Sequence, residues 1–511
     1  MNRHRTRRQT GAALLAATAA SALLLTACSA DENHANGPNH TTATGAPAPT
    51  RAGGDETAAP SGHLSTFALD VDTASYGYAR RTLADGGRPD PTTVRPEEFV
   101  NSFRQDYRTP EHNGFTVTVD GARTSKPNWS LVRVGLATRP QSRLRSTGGT
   151  PIAADDAGER PPAALTFVID VSGSMGEPGR LDLAKKSLDT MTDRLRDDDS
   201  VALVTFSEHA ETDLPMTRLG GHRAEIHDAV DRLAPLSSTN LGEGVETGYA
   251  TAVEGLRKNA TNRVVLISDA LANDGETDPN AILRRIDGDR REYGITLFGV
   301  GVGSDYGDAL MERLADKGDG HTVYVSDTAT AADVFCRQLP ENIDLVARDA
   351  KAQVAFDPHT VAEFHLIGYR DRKVADQDFR NDTVDGGEVG PGHTVTALYA
   401  VRTNPGTDGH LATATVRWLD PDTRTPHENT GAIETDALHD DIWSASPRFQ
   451  VTAVAAYFAD ALADGEYDIP GAPSPTKLRS WATALAGTTE DKQVTDLATA
   501  IREAGLPGAA D

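Results

Sequence analysis

The sequence contains few cysteines and few aromatic residues. Cys28 and Cys336 are the two cysteines among 511 residues, and Phe, Trp and Tyr together make up 5% of the chain. Because Cys28 follows an apolar N-terminal stretch that resembles a signal, Cys336 has no second thiol in the folded part to pair with. We therefore expect the fold to be stabilised by packing rather than by disulfides.

Positive charge is scarce as well. The chain carries 50 Lys and Arg against 75 Asp and Glu, which gives a formal net charge of −25 at pH 7. An excess of negative charge of this size repels nucleic acid and the anionic face of a membrane. We therefore expect no nucleic-acid partner, and no membrane contact except through a covalent lipid.

The sequence motifs of several common enzyme classes are missing too. The chain has no Walker A loop, no H-E-x-x-H, no G-x-S-x-G and no C-x-x-C. Its 15 histidines are scattered and do not show the spacing of metal ligands. The sequence therefore predicts a protein that is not an enzyme.

The first 27 residues are typical of an export signal. Four of the first eight residues are arginines, and Gly11–Ala27 is uncharged, rich in Ala and Leu, and short for a membrane-spanning helix. The stretch ends in Leu25–Cys28, which resembles the lipobox of bacterial lipoproteins. The resemblance implies cleavage before Cys28 and acylation of its thiol, for example with palmitate. The mature chain would then be lipid-anchored on the extracytoplasmic face of the bacterial cell membrane; a plain secretory peptide is the alternative.

Composition and periodicity divide the chain into six segments. Residues 28–62 are rich in Ala, Gly, Pro, Thr and Asn and lack large apolar residues, which predicts a disordered tether. Strand and helix patterns alternate through 163–339, which predicts an α/β domain with a doubly wound, mostly parallel sheet. The predicted segments are a signal peptide (1–27), the tether (28–62), a small N-terminal α+β module (63–140), a linker (141–162), the α/β domain (163–339) and a C-terminal antiparallel β region with helices (340–511).

Oxygen-bearing side chains follow the first buried strand of the predicted α/β domain. Ala164–Ile169 is apolar apart from Thr166, and Asp170, Ser172 and Ser174 follow it at alternate positions. Alternate residues of an extended or tightly turned segment point to the same side. One carboxylate and two hydroxyls can therefore converge on a hard cation such as Mg²⁺, which prefers oxygen ligands. An ordinary turn with a helix cap is the plainer interpretation.

The segment Asp170–Met175 resembles the first loop of the metal-ion-dependent adhesion site in a von Willebrand factor A domain. That site has two further loops, and Thr239 is similar to the hydroxyl ligand of the second. A second buried strand, Arg263–Ser268, leads into Asp269, which resembles the carboxylate of the third loop. The family usually has Gly after that aspartate, where this sequence has Ala270.

The resemblance implies a binding site for Mg²⁺, or for Mn²⁺ or Ca²⁺. Its implied ligands are Asp170, Ser172, Ser174, Thr239 and Asp269. Mg²⁺ sheds water reluctantly, so the positions that these ligands leave vacant would hold water until an Asp or Glu carboxylate from a partner protein arrives. We therefore expect a cell-surface protein that captures a partner protein, with no other cofactor and no catalytic residue.

The segments on both sides of the α/β domain resemble those of bacterial YfbK-type proteins. The N-terminal module 63–140 and two stretches of the C-terminal region, Leu366–Tyr369 and Val389–Tyr399, carry this likeness. With them, the resemblance covers nearly all of the chain after the tether. The sequence is thus similar to YfbK-type von Willebrand factor A domain lipoproteins, a likeness that does not name a partner.

Two other functions stay open at this stage. One is a structural envelope protein, in which the α/β domain holds the flanking modules together and any cation is incidental. The other is metal-dependent hydrolysis, for which Glu208 and Glu243 near the expected site are the candidate bases. Helix-start residues stabilised by the helix dipole are the plainer interpretation of these two glutamates.

Lipid anchoring can be tested with Cys28→Ala. Because the substitution removes the thiol that would be acylated, we expect the variant to leave the membrane fraction or to remain as the unprocessed precursor. Fractionation and gel migration of the full-length protein check this. A variant that fractionates and migrates like wild type would contradict the lipoprotein interpretation.

Overall fold

The structure, a computed structural model, covers most of the chain after the predicted tether. The chain divides into two compact units, Met1–Thr57 and Ala58–Asp511, and every described residue belongs to the second. The predicted signal peptide, Cys28, Ala270 and Cys336 lie outside the described residues. Those residues are 62–69, 72–140, 161–269, 275–303, 311, 314, 322–325, 331, 334, 345–382, 384, 386–421 and 423–506.

The segment before the α/β domain forms strands and helices, as the sequence predicts, together with a strand that the prediction missed. The missed strand is Phe115–Arg123, whose residues are mostly half-buried and alternate Thr with Val. The elements are β1 (Leu64–Ala68), α1 (Ala74–Ala84), α2 (Pro96–Asn101), β2 (Phe115–Arg123) and β3 (Trp129–Thr138).

The α/β domain has the doubly wound, mostly parallel sheet that the sequence predicts. Its strand order is β6-β5-β4-β7-β8-β9, and every pair is parallel except β5 with β6. The elements are β4 (Ala163–Asp170), α3 (Leu181–Arg194), β5 (Ser200–Phe206), β6 (Ala210–Arg218), α4 (Arg223–Arg232), α5 (Leu241–Glu254), β7 (Thr261–Ser268), α6 (Pro279–Tyr293), β8 (Thr296–Val302) and β9 (Thr322–Val325).

Helices cover both faces of this sheet. All eight residues of β4 are buried, as expected for a central strand of a covered parallel sheet. Helices α3 and α4 bury their apolar residues on one face, and α5 and α6 bury theirs on the other. Helix α5 lies very close to the sheet, because a Cβ atom at Gly248 would be 2.3 Å from Val168 Cγ2. This close packing brings the start of α5 next to the end of β4.

The C-terminal region is antiparallel and ends in helices, as predicted. No helix among the described residues has both the length and the apolar composition needed to cross a membrane. The elements are β10 (Ala347–Phe356), β11 (Val361–Leu366), β12 (Lys373–Val374), β13 (Gly387–Val389), β14 (Thr394–Thr403), β15 (His410–Leu419), β16 (Pro426–Glu434), α7 (Pro447–Leu462), α8 (Pro475–Thr489) and α9 (Lys492–Glu503).

Strands from before and after the α/β domain pair in the same two sheets. One sheet has the order β12-β1-β10-β15-β16, with β13 paired to β10, and the other has the order β11-β14-β3-β2. An apolar core that includes Phe67, Val132, Val354 and Tyr399 lies between them. The N-terminal module and the C-terminal region, which the sequence presents as separate, thus form one sandwich with the α/β domain inserted between its halves. Strand periodicity alone could not show this, because it does not encode which distant strand is the partner.

A buried carboxylate ties the inserted domain to the sandwich. Asp72 Oδ1 accepts a hydrogen bond from the backbone N–H of Thr322, at the start of β9. Its other oxygen, Oδ2, is 2.7 Å from Arg372 Nη2, and both side chains are at most 5% exposed. A charged pair with so little water nearby is costly to break from one side.

The Asp72→Ala variant tests this connection. It should lower the free energy of unfolding by about 3 kcal/mol or more, because the Arg372 guanidinium stays buried after its carboxylate partner is removed. Urea unfolding gives the value. The matched control is Asp85→Ala, which removes the exposed pair between Asp85 and Arg81 and should cost less than about 1 kcal/mol. Equal effects of the two substitutions would contradict a structural role for Asp72.

Candidate functional site at the ends of β4 and β7

The predicted site residues lie where the order of strands reverses. From β4 the chain continues to β5 on one side, and later returns to β7 on the other side. The two strands run parallel, with Ile169 opposite Ile267, so their carboxyl ends lie side by side. Open α/β sheets bind ligands in this crevice. Asp170 is the last residue of β4 and Asp269 directly follows β7, where the family resemblance expects the two carboxylates.

The carboxylate of Asp170 is buried and held on both oxygens. Oδ1 accepts the backbone N–H of Ser172 at 2.8 Å, and Oδ2 accepts the hydroxyl of Ser268 at 2.6 Å. The hydroxyls of Ser172 and Ser174 lie 3.1 Å apart. The structure therefore brings the three oxygen-bearing residues of the first loop together, from the end of β4 into a short 3₁₀ turn that spans Gly173–Gly176.

The loop that carries Thr239 lies along this first loop. The N–H of Gly173 donates to the carbonyl of Ser237 at 2.9 Å, and the N–H of Leu236 donates to the carbonyl of Val171 at 2.6 Å. The Thr239 side chain is buried, with 1% of the residue exposed. These backbone bonds fix the second predicted loop against the first and place Thr239 at the same end of the sheet.

Asp269 contacts an arginine that the sequence analysis did not select. The Arg180 Nη1 atom donates to Asp269 Oδ2 at 2.8 Å and to the carbonyl of Ser174 at 3.2 Å. Asp269 is fully buried and Arg180 is 2% exposed. In the sequence, Arg180 is merely the polar residue that precedes an amphipathic helix, and its separation of 89 positions from Asp269 hides the pair. Gly303 makes room for it, since a Cβ atom there would lie 2.6 Å from Arg180 Nε.

The surroundings of Asp170 disfavour its negative charge when no cation is bound. Burial raises the pKa of this carboxyl to about 6, and the neighbouring charge of Asp269 adds to the effect. Hydrogen bonds from Ser268 and Ser172 act in the opposite direction and stabilise the ionised form. A nearby cation would therefore stabilise the ionised form of Asp170.

The donor atoms of the site suit a hard cation. Within the part of the chain that the structure describes, no three side chains of His, Cys, Asp or Glu are grouped so as to hold a metal. The predicted set has two carboxylates, Asp170 and Asp269, and its other members are the hydroxyls of Ser172, Ser174 and Thr239. An all-oxygen set of this kind fits Mg²⁺, Mn²⁺ or Ca²⁺ and does not fit a softer metal.

The two glutamates that were candidate bases have different surroundings. Glu243 lies in the first turn of α5, and its Oε2 accepts a hydrogen bond of 2.9 Å from the Asn240 side chain, which also caps the helix. Glu208 is exposed, and its backbone carbonyl accepts a hydrogen bond from Asn240. Glu243 therefore has a local structural role at the helix start, as the plainer interpretation predicts.

The pH dependence of stability tests the state of Asp170. The raised pKa means that the folded protein binds this proton more tightly than the unfolded chain. In EDTA, wild type should therefore lose stability relative to Asp170→Asn as the pH rises from about 4 to about 6. The difference should approach roughly 3 kcal/mol above pH 7. Urea unfolding at pH 4 and pH 7.5 measures it, and a difference that does not change between these pH values would contradict the assignment.

Comparison with protein families gives three matches. Residues 164–337 match the von Willebrand factor type A domain, and residues 342–505 match the C-terminal family of the uncharacterized protein YfbK. Residues 55–133 match a family described as von Willebrand factor. The first match coincides with the doubly wound sheet, and so confirms the predicted fold of the domain that carries Asp170 and Asp269.

Individual proteins show the same likeness. The uncharacterized protein YfbK of Escherichia coli is 38% identical over 344 residues, which are 67% of this chain and 58% of that protein. The uncharacterized protein sll0103 of Synechocystis is 28% identical over 204 residues, which are 40% of this chain and 47% of that protein. The chain thus spans between about half and three fifths of the length of these relatives.

Solved structures contain similar folds. The von Willebrand factor type A protein from Catenulispora acidiphila superimposes with a TM-score of 0.47 at 17% identity, covering 77% of this chain and 91% of that one. The chain contains a von Willebrand factor type A domain, and its identity to YfbK supports a YfbK-type protein built around that domain.

Proposed function

We propose that this protein captures a partner protein through a divalent cation held at the ends of β4 and β7. The von Willebrand factor type A domain indicates protein–protein interaction or adhesion. The finer proposal is carried by one observation, the buried carboxylate of Asp170 with a raised pKa and two hydroxyl groups beside it. A divalent cation beside this buried carboxyl group would stabilise its ionised form.

The cation would be held by oxygen atoms alone. Its proposed ligands are Asp170, Ser172, Ser174, Thr239 and Asp269. We expect Mg²⁺, with Mn²⁺ and Ca²⁺ as the alternatives, since all three ions prefer oxygen ligands. Mg²⁺ usually keeps several waters, so at least one position would be open to exchange. The chemistry that a bound cation supplies is the attraction of an Asp or Glu carboxylate from the partner.

An exposed apolar side chain beside the site supports a protein partner. Leu236 is 63% exposed, and Leu236 and Tyr293 are the two exposed large apolar residues reported among the described residues. The backbone of Leu236 is bound directly to the first loop through Val171. A partner carboxylate that reaches the cation would therefore bring its neighbouring residues close to Leu236. We propose that the partner carries an apolar residue next to its acidic one.

The place of action is also a proposal. A lipid on Cys28 would hold the protein at the extracytoplasmic face of a bacterial membrane. The acidic composition supports the lipid as the membrane contact, because the chain as a whole repels an anionic surface.

A structural role in the envelope is the second candidate. It is favoured by the Asp72 bridge from β9 to Arg372, and by the two sheets that the flanking segments share. In that case the α/β domain would serve to lock the sandwich, and a bound cation would add stability without a partner. Hydrolysis has no comparable support, since Glu243 is engaged at the start of α5.

Cation binding is tested by thermal unfolding with and without Mg²⁺. A ligand that binds only the folded state adds about 2.7 kcal/mol of stability at a concentration of 100 times its Kd. We therefore expect the unfolding temperature of wild type to rise by several degrees in Mg²⁺ relative to EDTA. Asp170→Ala should show no rise, whereas Asp85→Ala, which is remote from the site, should respond like wild type. Identical curves for wild type in Mg²⁺ and in EDTA would contradict cation binding.

Partner capture separates the two candidate functions. Immobilised wild-type protein should retain an envelope protein in Mg²⁺ and release it in EDTA, and Asp170→Ala should retain none. Leu236→Ser should bind Mg²⁺ normally and retain less of the partner. The substitution removes the exposed apolar side chain beside the site and leaves the proposed ligands intact. Normal Mg²⁺ binding without any retained protein would favour the structural role.

A further inference from the structure

A buried guanidinium occupies one side of the candidate cation site. Arg180 is 2% exposed, and its Nη1 atom lies 2.8 Å from Asp269 Oδ2. The same nitrogen donates to the carbonyl of Ser174, a residue of the first loop. Arg180 therefore contacts two of the three loops that form the site and adds a fixed positive charge to it.

The position of Arg180 is built into the fold. Its Nη2 atom pairs with the exposed Glu177 at 2.8 Å, so the guanidinium is held from the solvent side as well. Gly303 leaves the space that Arg180 Nε occupies, and its positive φ of +86° disfavours a side chain there. A planar guanidinium can direct several N–H groups to separate acceptors at once, which a lysine ammonium does less well.

The charge of Arg180 changes the balance of the whole site. Asp170 and Asp269 contribute two negative charges, which would neutralise a divalent cation completely. With Arg180 present, the two carboxylates, the guanidinium and the cation together carry one net positive charge, and Glu177 offsets it only weakly because its side chain is 63% exposed to water. Charges a few ångströms apart interact strongly in a poorly hydrated site, so this extra positive charge repels the cation and attracts an incoming anion.

We propose that Arg180 is a built-in counter-ion that weakens cation binding and strengthens the capture of a carboxylate by the bound cation. The inference rests on the proposed function, because it concerns the regulation of that same site. With the positive charge of Arg180 close by, the cation alone is held loosely. The partner carboxylate then removes the excess positive charge and holds the cation in place.

Cation and partner must therefore support each other's binding. A factor by which the carboxylate tightens the cation is, by thermodynamic linkage, the factor by which the cation tightens the carboxylate. Without Arg180, the two carboxylates would already neutralise the cation, and the partner carboxylate would tighten cation binding less. The site would then be loaded and released together with its partner.

Arg180→Gln tests the proposal by isothermal titration calorimetry. Relative to wild type, the variant should bind Mg²⁺ at least tenfold more tightly. After saturation with Mg²⁺, it should bind acetate, used as the carboxylate probe, at least tenfold more weakly. The matched control is Arg194→Gln at the other end of the same helix, which loses the same charge on the exposed surface. It should stay within twofold of wild type in both titrations.

The outcomes separate the two proposals. Wild type that binds no Mg²⁺ would overturn the proposed function itself. Wild type that binds Mg²⁺, with an Arg180→Gln variant that binds it equally or less tightly, would overturn the role of Arg180 alone. If Arg180→Gln does not fold, Arg180→Lys is used in its place, because lysine keeps the positive charge and lacks the planar guanidinium. Its Mg²⁺ affinity should stay within threefold of wild type, and a larger change would contradict the charge argument.

Discussion

Two carboxylates buried at the end of one crevice are the constraint around which the site is organised. Asp170 and Asp269 are fully buried, and the charge of Asp269 adds to the cost of ionising Asp170. Hydrogen bonds from Ser172 and Ser268 stabilise the carboxylate of Asp170. The guanidinium of Arg180 stabilises the carboxylate of Asp269. A cation would complete the same compensation. The chemistry proposed for the protein follows from this imbalance of charge.

The rest of the architecture holds this crevice in place. The fully buried strand β4 fixes Asp170, and close packing of α5 through Gly248 sets the loop that carries Thr239. The segments on both sides of the α/β domain pair in the same two sheets and form one sandwich. Through Asp72 it also contacts the first residue of β9. A partner bound at the crevice is therefore bound to the whole assembly and not to a free module.

Much of the fold, and the position of the candidate ligands at one end of the sheet, could be predicted from the sequence because they depend on local patterns. The central strands are mostly apolar runs, and Asp170, Ser172 and Ser174 follow one of them at alternate positions. The edge strand β6 was missed because its residues are mostly exposed, so it lacks the apolar run of a central strand.

Long-range contacts were beyond the reach of sequence reasoning. The pairing of β1 with β10 and of β3 with β14 joins residues several hundred positions apart, which no periodicity records. Arg180 was missed for the same reason, since an arginine before a helix resembles any surface residue until Asp269 is placed against it. In both cases the sequence shows the local element or residue and does not show which distant residue it contacts.

The central claim is that a divalent cation binds among the oxygens at the ends of β4 and β7. The most direct measurement is a crystal structure of the protein soaked in Mn²⁺, with the ion located by its anomalous scattering. The account predicts a single strong peak within about 2.6 Å of the hydroxyl oxygens of Ser172 and Ser174, with Asp170 beside it. A well-ordered crevice without a peak, in which Arg180 still binds Asp269, would contradict it.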